Sequence, residues 1–217
     1  IVIYMSFTIL CTLLFWAGPM TLYDAVCHAF ACVSTGGFST HSQSLGYFDS
    51  RYVELVAMIF MTISAIKFAL IYFALVRRQP SRLLEDSETR WYLSLLLIVS
   101  LIGGVWLWYS GYHRGGHAVF KSFFTIVSLG TSTSFFSGDY SEWGSFFGLL
   151  VLATIFVAGC SGSTSGGLKV VRFVVLAKNL SKELLRRVHP NVVTTIRMGN
   201  MLITDKVIVQ VTSFFFA

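Results

Sequence analysis

The chain has 217 residues, of which 55% are hydrophobic and 12% are charged, with a formal net charge of +6. A composition this apolar is unusual for a soluble domain and favours a protein whose solvent is the lipid bilayer. The basic residues lie in two blocks beside apolar segments, as they do at the cytoplasmic ends of membrane helices, so they predict membrane topology and no nucleic-acid partner.

The first part of the chain alternates apolar segments with a polar loop. Residues 1–18 are predicted to span the membrane, whereas residues 21–33 are too short to cross ~30 Å of hydrocarbon and are predicted to form a re-entrant half-helix. After a polar loop, one long apolar helix is predicted from about Tyr52 to Val76. Because the chain begins without Met and ends inside an apolar run, we expect it to be a fragment.

The same order of elements returns after a short basic connection. Residues 91–109 are predicted to span, residues 115–129 are again too short to cross, and a second polar loop precedes an apolar helix from about Trp143. Phe38 aligns with Phe135 and pairs the two loops without a gap. A repeated order of this kind is typical of membrane proteins with internal repeats. Four arginines place the connection on the cytoplasmic side: Arg77, Arg78, Arg82 and Arg90.

A second basic block predicts that the chain returns to the cytoplasmic side, so both polar loops enter from outside. A short amphipathic helix is expected there, capped by Asn179 or Ser181 and running through Val188, because Pro190 disfavours helical geometry in the residue before it. The block consists of Lys169, Arg172, Lys178, Lys182, Arg186, Arg187 and Arg197.

These elements divide the chain into four predicted parts. Residues 1–80 form one unit of span, pore loop and span, and residues 90–175 form a second unit. Residues 176–200 form a cytoplasmic amphipathic connection, and residues 201–217 begin a further repeat.

The two polar loops are the candidate ion filter. Non-helical backbone at membrane depth is tolerated only inside protein or beside a water-filled cavity. Gly36 and Gly37 permit conformations that let successive carbonyls face a pore and replace the hydration shell of a cation. The alternative is an ordinary extracellular turn, since Gly, Ser and Thr are common in turns. The predicted filter residues are Ser34, Thr35, Gly36, Gly37, Phe38, Thr131, Ser132, Thr133, Ser134 and Phe135, with the cation held at Thr35, Gly36, Ser132 and Thr133.

A third polar segment interrupts the last apolar helix. It is not a phosphate-binding loop, because Leu168 separates Gly167 from Lys169 and Val170 follows the lysine. Two interpretations stay open: a flexible gate beneath the filter, or a kink where helices pack through small residues. The predicted gate residues are Gly159, Ser161, Gly162, Ser163, Thr164, Ser165, Gly166, Gly167 and Lys169.

Lys67 is a candidate pore charge. It lies inside the predicted long helix, where an ionisable group is costly and usually faces a cavity or a partner. The alternative is that its side chain reaches the cytoplasmic interface. The sequence offers no convincing set of acid, base and nucleophile, so we predict no enzyme, and we predict no bound cofactor.

Five runs carry a family resemblance: DAVCHAF at 24–30, GGFSTH at 36–41, GYFDS at 46–50, GCSGSTSGGLK at 159–169 and VHPN at 188–191. Together with the order of elements, they resemble the Trk/Ktr/HKT superfamily of potassium transporters, and most of all its bacterial Trk-type membrane subunit. The resemblance extends over nearly the whole chain. It implies an all-α membrane protein built, like K⁺ channels, from repeated units of span, re-entrant pore helix, filter loop and span.

The same resemblance implies a function and partners. We expect a potassium uptake transporter in the bacterial inner membrane, working as a homodimer with a cytoplasmic nucleotide-binding subunit of the RCK type. This chain would hold the second and third of four repeats and the start of the fourth. The alternatives are a transporter that prefers Na⁺ and a non-transporting scaffold or sensor subunit.

Two residues depart from the family pattern. At the position of the family's filter glycine, the first loop carries Gly37 but the second carries Ser134. In the plant branch of the family, a glycine-to-serine change in a filter loop is associated with sodium transport. Related Trk subunits usually carry an uncharged polar residue at the position of Lys67. A positive charge facing the cavity would hinder cation occupancy.

Overall fold

The computed structural model describes residues 1–112, 115–188, 196–198, 201–203 and 205–216, and these are mostly helical. Two pairs of very short strands accompany the helices: β1 (Val157–Ala158) runs parallel to β2 (Leu168–Lys169), and β3 (Ile196–Met198) runs antiparallel to β4 (Met201–Ile203). The helices are α1 (Val2–Trp16), α2 (Leu22–Val33), α3 (Arg51–Ser64), α4 (Phe68–Leu75), α5 (Ser81–Glu85), α6 (Ser87–Tyr109), α7 (Gly116–Gly130), α8 (Ser145–Phe156), α9 (Val170–Val188) and α10 (Asp205–Phe216).

The two short apolar runs form half-helices in the predicted places. Thr21 starts α2, because its side-chain oxygen accepts a hydrogen bond from the Asp24 N–H at 3.2 Å. The 12 residues of α2 extend about 18 Å at 1.5 Å per residue, well short of a bilayer core. α7 has 15 residues and also ends before a polar loop.

The prediction of one continuous helix over residues 52–76 is wrong. α3 ends at Ser64, α4 begins at Phe68, and the two are bent by 104°. The backbone of the third polar segment enters this break: the Cys160 N–H donates to the Ala65 carbonyl at 2.8 Å, and the Phe68 N–H donates to the Gly162 carbonyl at 3.3 Å. Hydrogen bonds to another segment thus replace the helical ladder at this point, which is a recognised cause of kinks.

Among the described helices, only α6 is long and apolar enough by itself to cross a membrane, and the bent pair of α3 and α4 makes a second if it is one span. α6 begins earlier than the predicted Trp91, because the Asp86 carboxylate accepts the Thr89 N–H at 2.8 Å and caps the helix. α1 and α8 have 15 and 12 residues, so both are shorter than the predicted spans.

The amphipathic helix of the connection starts nine residues before the earlier of the two predicted caps. α9 runs from Val170, and within it the Ser181 hydroxyl donates to the Ala177 carbonyl at 3.0 Å. Neither Asn179 nor Ser181 is therefore a cap, and this prediction is wrong. The predicted stop at Pro190, like His189 and Asn191 of the VHPN run, lies outside the described residues.

One buried apolar cluster joins the two halves of the chain. Side chains from α1, α2, α3, α7 and α8 contribute to it, and it includes the fully buried residues Phe15, Ala29, Met61, Phe124 and Phe147. α3 contacts both α2 and α7. The two half-helices are thereby held in one packed body, which places the two polar loops side by side.

Candidate functional site

The two polar loops have the same unusual backbone. In the first loop φ is +54° at Thr35 and +69° at Gly37, and at the aligned positions of the second loop φ is +61° at Ser132 and +64° at Ser134. Left-handed backbone is uncommon for residues with a Cβ. Conformations of this kind persist only where the surroundings impose them, and they concentrate at functional sites.

The hydrogen bonds of the loops are also equivalent. The N–H groups of Gly36 and Gly37 both donate to the Ala31 carbonyl, at 2.7 and 3.4 Å, and those of Thr133 and Ser134 both donate to the Ser128 carbonyl at 3.0 Å. Each loop therefore turns its N–H groups back onto the end of its own half-helix.

The carbonyl oxygens are left for another partner. Within the described part of the chain, no hydrogen bond is donated to the carbonyls of residues 35–37 or 132–134. Main-chain carbonyls need a partner, from protein, water or a ligand. Rings of such oxygens can replace the hydration shell of a cation, so this backbone is suited to binding a cation that has lost its water.

The two loops converge on each other. A Cβ added to Gly37 would lie 1.7 Å from the Thr133 carbonyl oxygen, so the two backbones are in direct contact there. Farther out, the Gly46 N–H donates to the Phe136 carbonyl at 3.2 Å. The predicted filter residues of both loops are thus brought to one place.

The side chains of the two loops differ more than their backbones. Phe135 is 2% exposed, whereas its counterpart Phe38 is 80% exposed. The Thr131 and Thr133 hydroxyls are buried and lie 2.8 Å apart. The Thr35 hydroxyl donates to the Thr164 carbonyl at 3.0 Å. The threonine side chains of the filter are therefore engaged with protein, and the equivalence of the loops resides in the main chain.

The third polar segment lies against the inner side of both loops. The Thr164 hydroxyl is 3.0 Å from the Val33 carbonyl at the end of α2 and 3.1 Å from the Ser64 carbonyl at the end of α3. A Cβ added to Gly166 would lie 3.6 Å from the Ser132 Cβ. The segment thus reaches the first loop through Thr164 and the second through Gly166, which is where a gate would have to lie.

Small residues in this segment also allow close packing. A Cβ on Gly159 would lie 2.8 Å from the Ala65 carbonyl oxygen and 2.9 Å from the Ser165 Cβ. The Ser163 hydroxyl donates to the Cys160 carbonyl at 2.7 Å, and the Lys169 ammonium donates to the Ser165 carbonyl. Close packing and contact with both loops coexist, so the gate and the packing interpretations need a functional test.

Lys67 has two acidic partners that the sequence analysis missed. Its Nζ lies 2.9 Å from Asp86 Oδ1 and 2.7 Å from Glu88 Oε2. The other oxygen of Glu88, a residue only 2% exposed, accepts the Ser161 N–H at 2.6 Å. Lys67 therefore joins the bend between α3 and α4 to the start of α6 and to the third polar segment. These contacts favour a neutralised ion pair over a charge that repels cations.

We expect Lys67→Met in the full-length protein to lower the melting temperature by several degrees without raising cation uptake. Breaking a buried ion pair costs about 3–5 kcal/mol, and the exposure of a quarter of the Lys67 side chain reduces the expected cost to roughly 2 kcal/mol. Melting of the purified protein and Rb⁺ uptake by cells measure the two effects.

The double variant Lys67→Met/Glu88→Gln serves as the control, because it leaves no unpaired charge at the buried Glu88 position, while Asp86 keeps its hydrogen bonds from Thr89. It should recover part of the lost melting temperature. A single Lys67→Met variant with raised uptake and unchanged melting would instead make Lys67 a pore charge.

The model of the family TrkH, described as cation transport protein, matches residues 1–217. The chain is 36% identical over 216 residues to the Trk system potassium uptake protein TrkH of Escherichia coli and 35% identical over 215 residues to that of Halomonas elongata. These matches cover 99% of this chain and 45% of each relative.

A solved structure is similar over the same extent. The crystal structure of the potassium transporter TrkH from Vibrio parahaemolyticus matches with a TM-score of 0.95 and 35% sequence identity, covering 99% of this chain and 47% of that chain. This likeness confirms the predicted fold class, an all-α membrane protein with re-entrant pore helices. The chain spans somewhat less than half the length of these relatives.

Proposed function

Because the chain belongs to the TrkH family of cation transport proteins, we propose that it is the part of a potassium uptake transporter that supplies two strands of the ion filter. The family consists of integral membrane transport proteins and not of enzymes. The observation that carries the proposal is the equivalence of the two loops: in each, two successive N–H groups donate to one carbonyl of the half-helix, and the two backbones meet at Gly37 and Thr133.

The filter works through main-chain oxygens. Carbonyls within residues 34–38 and 131–135, above all those of residues 35–37 and 132–134, replace the water around K⁺, with the ion held at Thr35, Gly36, Ser132 and Thr133. α2 and α7 end at the start of these loops. A helix C-terminus carries a partial negative charge, equivalent to roughly half an elementary charge. Both half-helices therefore favour a cation at the point where the loops converge.

The remaining parts of the chain follow from this arrangement. Residues 1–80 and 90–175 are the two repeats, residues 176–200 are the cytoplasmic connection, and residues 201–217 begin the next repeat. The segment from Gly159 to Lys169 is the gate. Its contacts with the ends of α2 and α3 support this assignment.

The whole protein is proposed to be a homodimer in the bacterial inner membrane, with an RCK-type nucleotide-binding subunit on the cytoplasmic side. Bacterial relatives named Trk system potassium uptake proteins support the bacterial membrane location. α9 supports it too, since it combines basic residues in its last turn with exposed leucines at Leu180 and Leu184. Such a surface suits the membrane interface or a docked subunit.

Cation uptake by the full-length protein, in cells without other K⁺ uptake systems, tests the function. Rb⁺ uptake that unlabelled K⁺ inhibits more strongly than Na⁺ is the expected result. Stronger inhibition by Na⁺ would indicate a transporter that prefers Na⁺. Normal membrane insertion without uptake under any energised condition would indicate a scaffold or sensor subunit.

Ser134→Gly is expected to raise the preference for K⁺ over Na⁺ several-fold in the same assay. A left-handed conformation costs roughly 1–2 kcal/mol for a residue with a Cβ, so glycine relieves strain at φ +64° and removes a hydroxyl beside the ion. The matched control is Ser141→Gly, an exposed position on the outer surface. An unchanged preference in Ser134→Gly would contradict the assignment of this residue to the filter, whereas a lower preference would contradict the expected effect of its side chain.

A further inference from the structure

Charged side chains occupy the same position in the two half-helices. The alignment that pairs Phe38 with Phe135 also pairs Asp24 of α2 with Lys121 of α7. Both side chains are largely shielded from solvent, with 11% of the Asp24 side chain and 16% of the Lys121 side chain exposed. Burying an ionisable group is costly unless the group is paired and hydrogen-bonded, so the partners of both side chains are informative.

In the first repeat, Asp24 holds the limb of the loop that leaves the filter. The Thr40 hydroxyl donates to Asp24 Oδ1 at 2.6 Å, and the Thr21 hydroxyl donates to Asp24 Oδ2 at 2.7 Å. His41 Nε2 lies 3.4 Å from Asp24 Oδ1. Thr40 comes three residues after Gly37, so the carboxylate fixes the chain directly beyond the filter.

In the second repeat, Lys121 holds the equivalent limb. Its ammonium donates to the Ser137 hydroxyl at 2.9 Å and to the Ser137 carbonyl at 3.2 Å. Ser137 comes three residues after Ser134 and aligns with Thr40. The ammonium also donates to Glu54 Oε1 of α3 at 2.7 Å, and Glu54 is 4% exposed. These three contacts match the three donors of a lysine.

We propose that Asp24 and Lys121 are positioning residues that anchor the outer end of each filter strand and thereby set its preference among cations. The proposal rests on the proposed filter function. The inner end of each strand is fixed by N–H groups on the Ala31 and Ser128 carbonyls. The charged anchors fix the other end, so the oxygens between the two ends are held at a set spacing.

Loss of an anchor should alter ion preference in particular. In a strand that is fixed at one end only, the oxygens can move closer to a smaller ion. They therefore discriminate less between K⁺ and Na⁺. A residue that only stabilises the fold would instead change the amount of active protein and leave the preference of the remaining molecules unaltered.

The test is Na⁺ and K⁺ competition against Rb⁺ uptake by the full-length protein. Lys121→Met is combined with Glu54→Gln so that no buried carboxylate loses its partner. We expect this double variant and Thr40→Val each to lower the preference for K⁺ over Na⁺ about tenfold, equivalent to about 1.4 kcal/mol. Lys121→Arg keeps the donors and should retain most of the preference.

Two controls separate anchoring from general effects. Glu54→Gln alone should keep the preference, since Lys121 still holds Ser137. Asp139→Asn removes an exposed carboxylate of the outer surface and should leave the preference unchanged.

The effects of Asp24→Asn and Thr40→Val on ion preference should be non-additive, because both variants break the same contact.

Unaltered ion preference in Thr40→Val and in the Lys121→Met/Glu54→Gln double variant, at normal levels in the membrane, would overturn the proposal. If the double variant fails to insert, Thr40→Val decides alone, because it removes one hydroxyl and keeps the side-chain shape. Gly37→Ala distinguishes the two levels of inference. A change of preference in Gly37→Ala without a change in the anchor variants would support the proposed filter and contradict the proposed anchors. No change in any of these variants would contradict the filter proposal itself.

Discussion

Gly37→Ala is expected to abolish selective cation uptake by the full-length protein, with at least a tenfold fall in Rb⁺ uptake. The added Cβ would lie 1.7 Å from the Thr133 carbonyl oxygen and 2.9 Å from its carbon. Both neighbours are backbone atoms, so the two loops would have to separate. The positive φ of +69° at Gly37 also disfavours any residue with a side chain.

A matched substitution tests whether the effect belongs to the filter. A Cβ at Gly148 of α8 meets nothing within 4 Å, and Ala is a better helix former than Gly. Gly148→Ala should therefore keep full uptake. Wild-type uptake and ion preference in Gly37→Ala would show that this contact does not lie on the ion pathway.

The sequence predicted the half-helices and loops because the signals for them are local. A run of 12 or 15 apolar residues is visibly too short to span, and the glycines and hydroxyl residues that follow are visible in the printed sequence. The positive φ of Gly37 follows from the ability of glycine to adopt it. The positive φ values at Thr35, Ser132 and Ser134 were not evident, because residue type argues against them.

The bend between α3 and α4 could not be predicted from its own residues. Ala65, Ile66 and Lys67 include neither Pro nor Gly, and the surrounding run is mainly apolar. The break depends on hydrogen bonds to Cys160 and Gly162, which lie more than 90 residues away in the chain. Tertiary contacts of this kind override local helix propensity.

The charged contacts of Lys67, Asp24 and Lys121 could not be predicted for a similar reason. Lys67 was identified as costly, but Asp86 and Glu88 belong to a connection that reads as a solvated charge run. The sequence alignment pairs Asp24 with Lys121, but their opposite charges do not indicate that the two side chains make similar contacts. Asp24 contacts Thr40 and Lys121 contacts Ser137, which are themselves aligned, and the anchoring proposal rests on these contacts.

Deleting residues 163–166 is expected to raise basal cation flux several-fold. The deleted stretch contains Thr164, which bonds the ends of α2 and α3, and Gly166, which lies beside Ser132. If the segment obstructs the pathway below the filter, a shorter segment leaves that space open. Rb⁺ efflux from loaded cells, without any regulatory stimulus, measures the basal flux.

Two companion variants separate obstruction from loss of contacts. Replacing residues 163–166 with four alanines removes the Thr164 hydroxyl but keeps the length of the segment. If length is what obstructs the pathway, this variant should have a basal flux close to that of the unaltered protein. Adding Gly37→Ala to the deletion should suppress the extra flux, because ions would still have to cross the filter. Unchanged flux in the deletion variant, at normal levels in the membrane, would support the interpretation that the small residues serve helix packing alone. Raised flux that is insensitive to Gly37→Ala would indicate a leak that bypasses the filter.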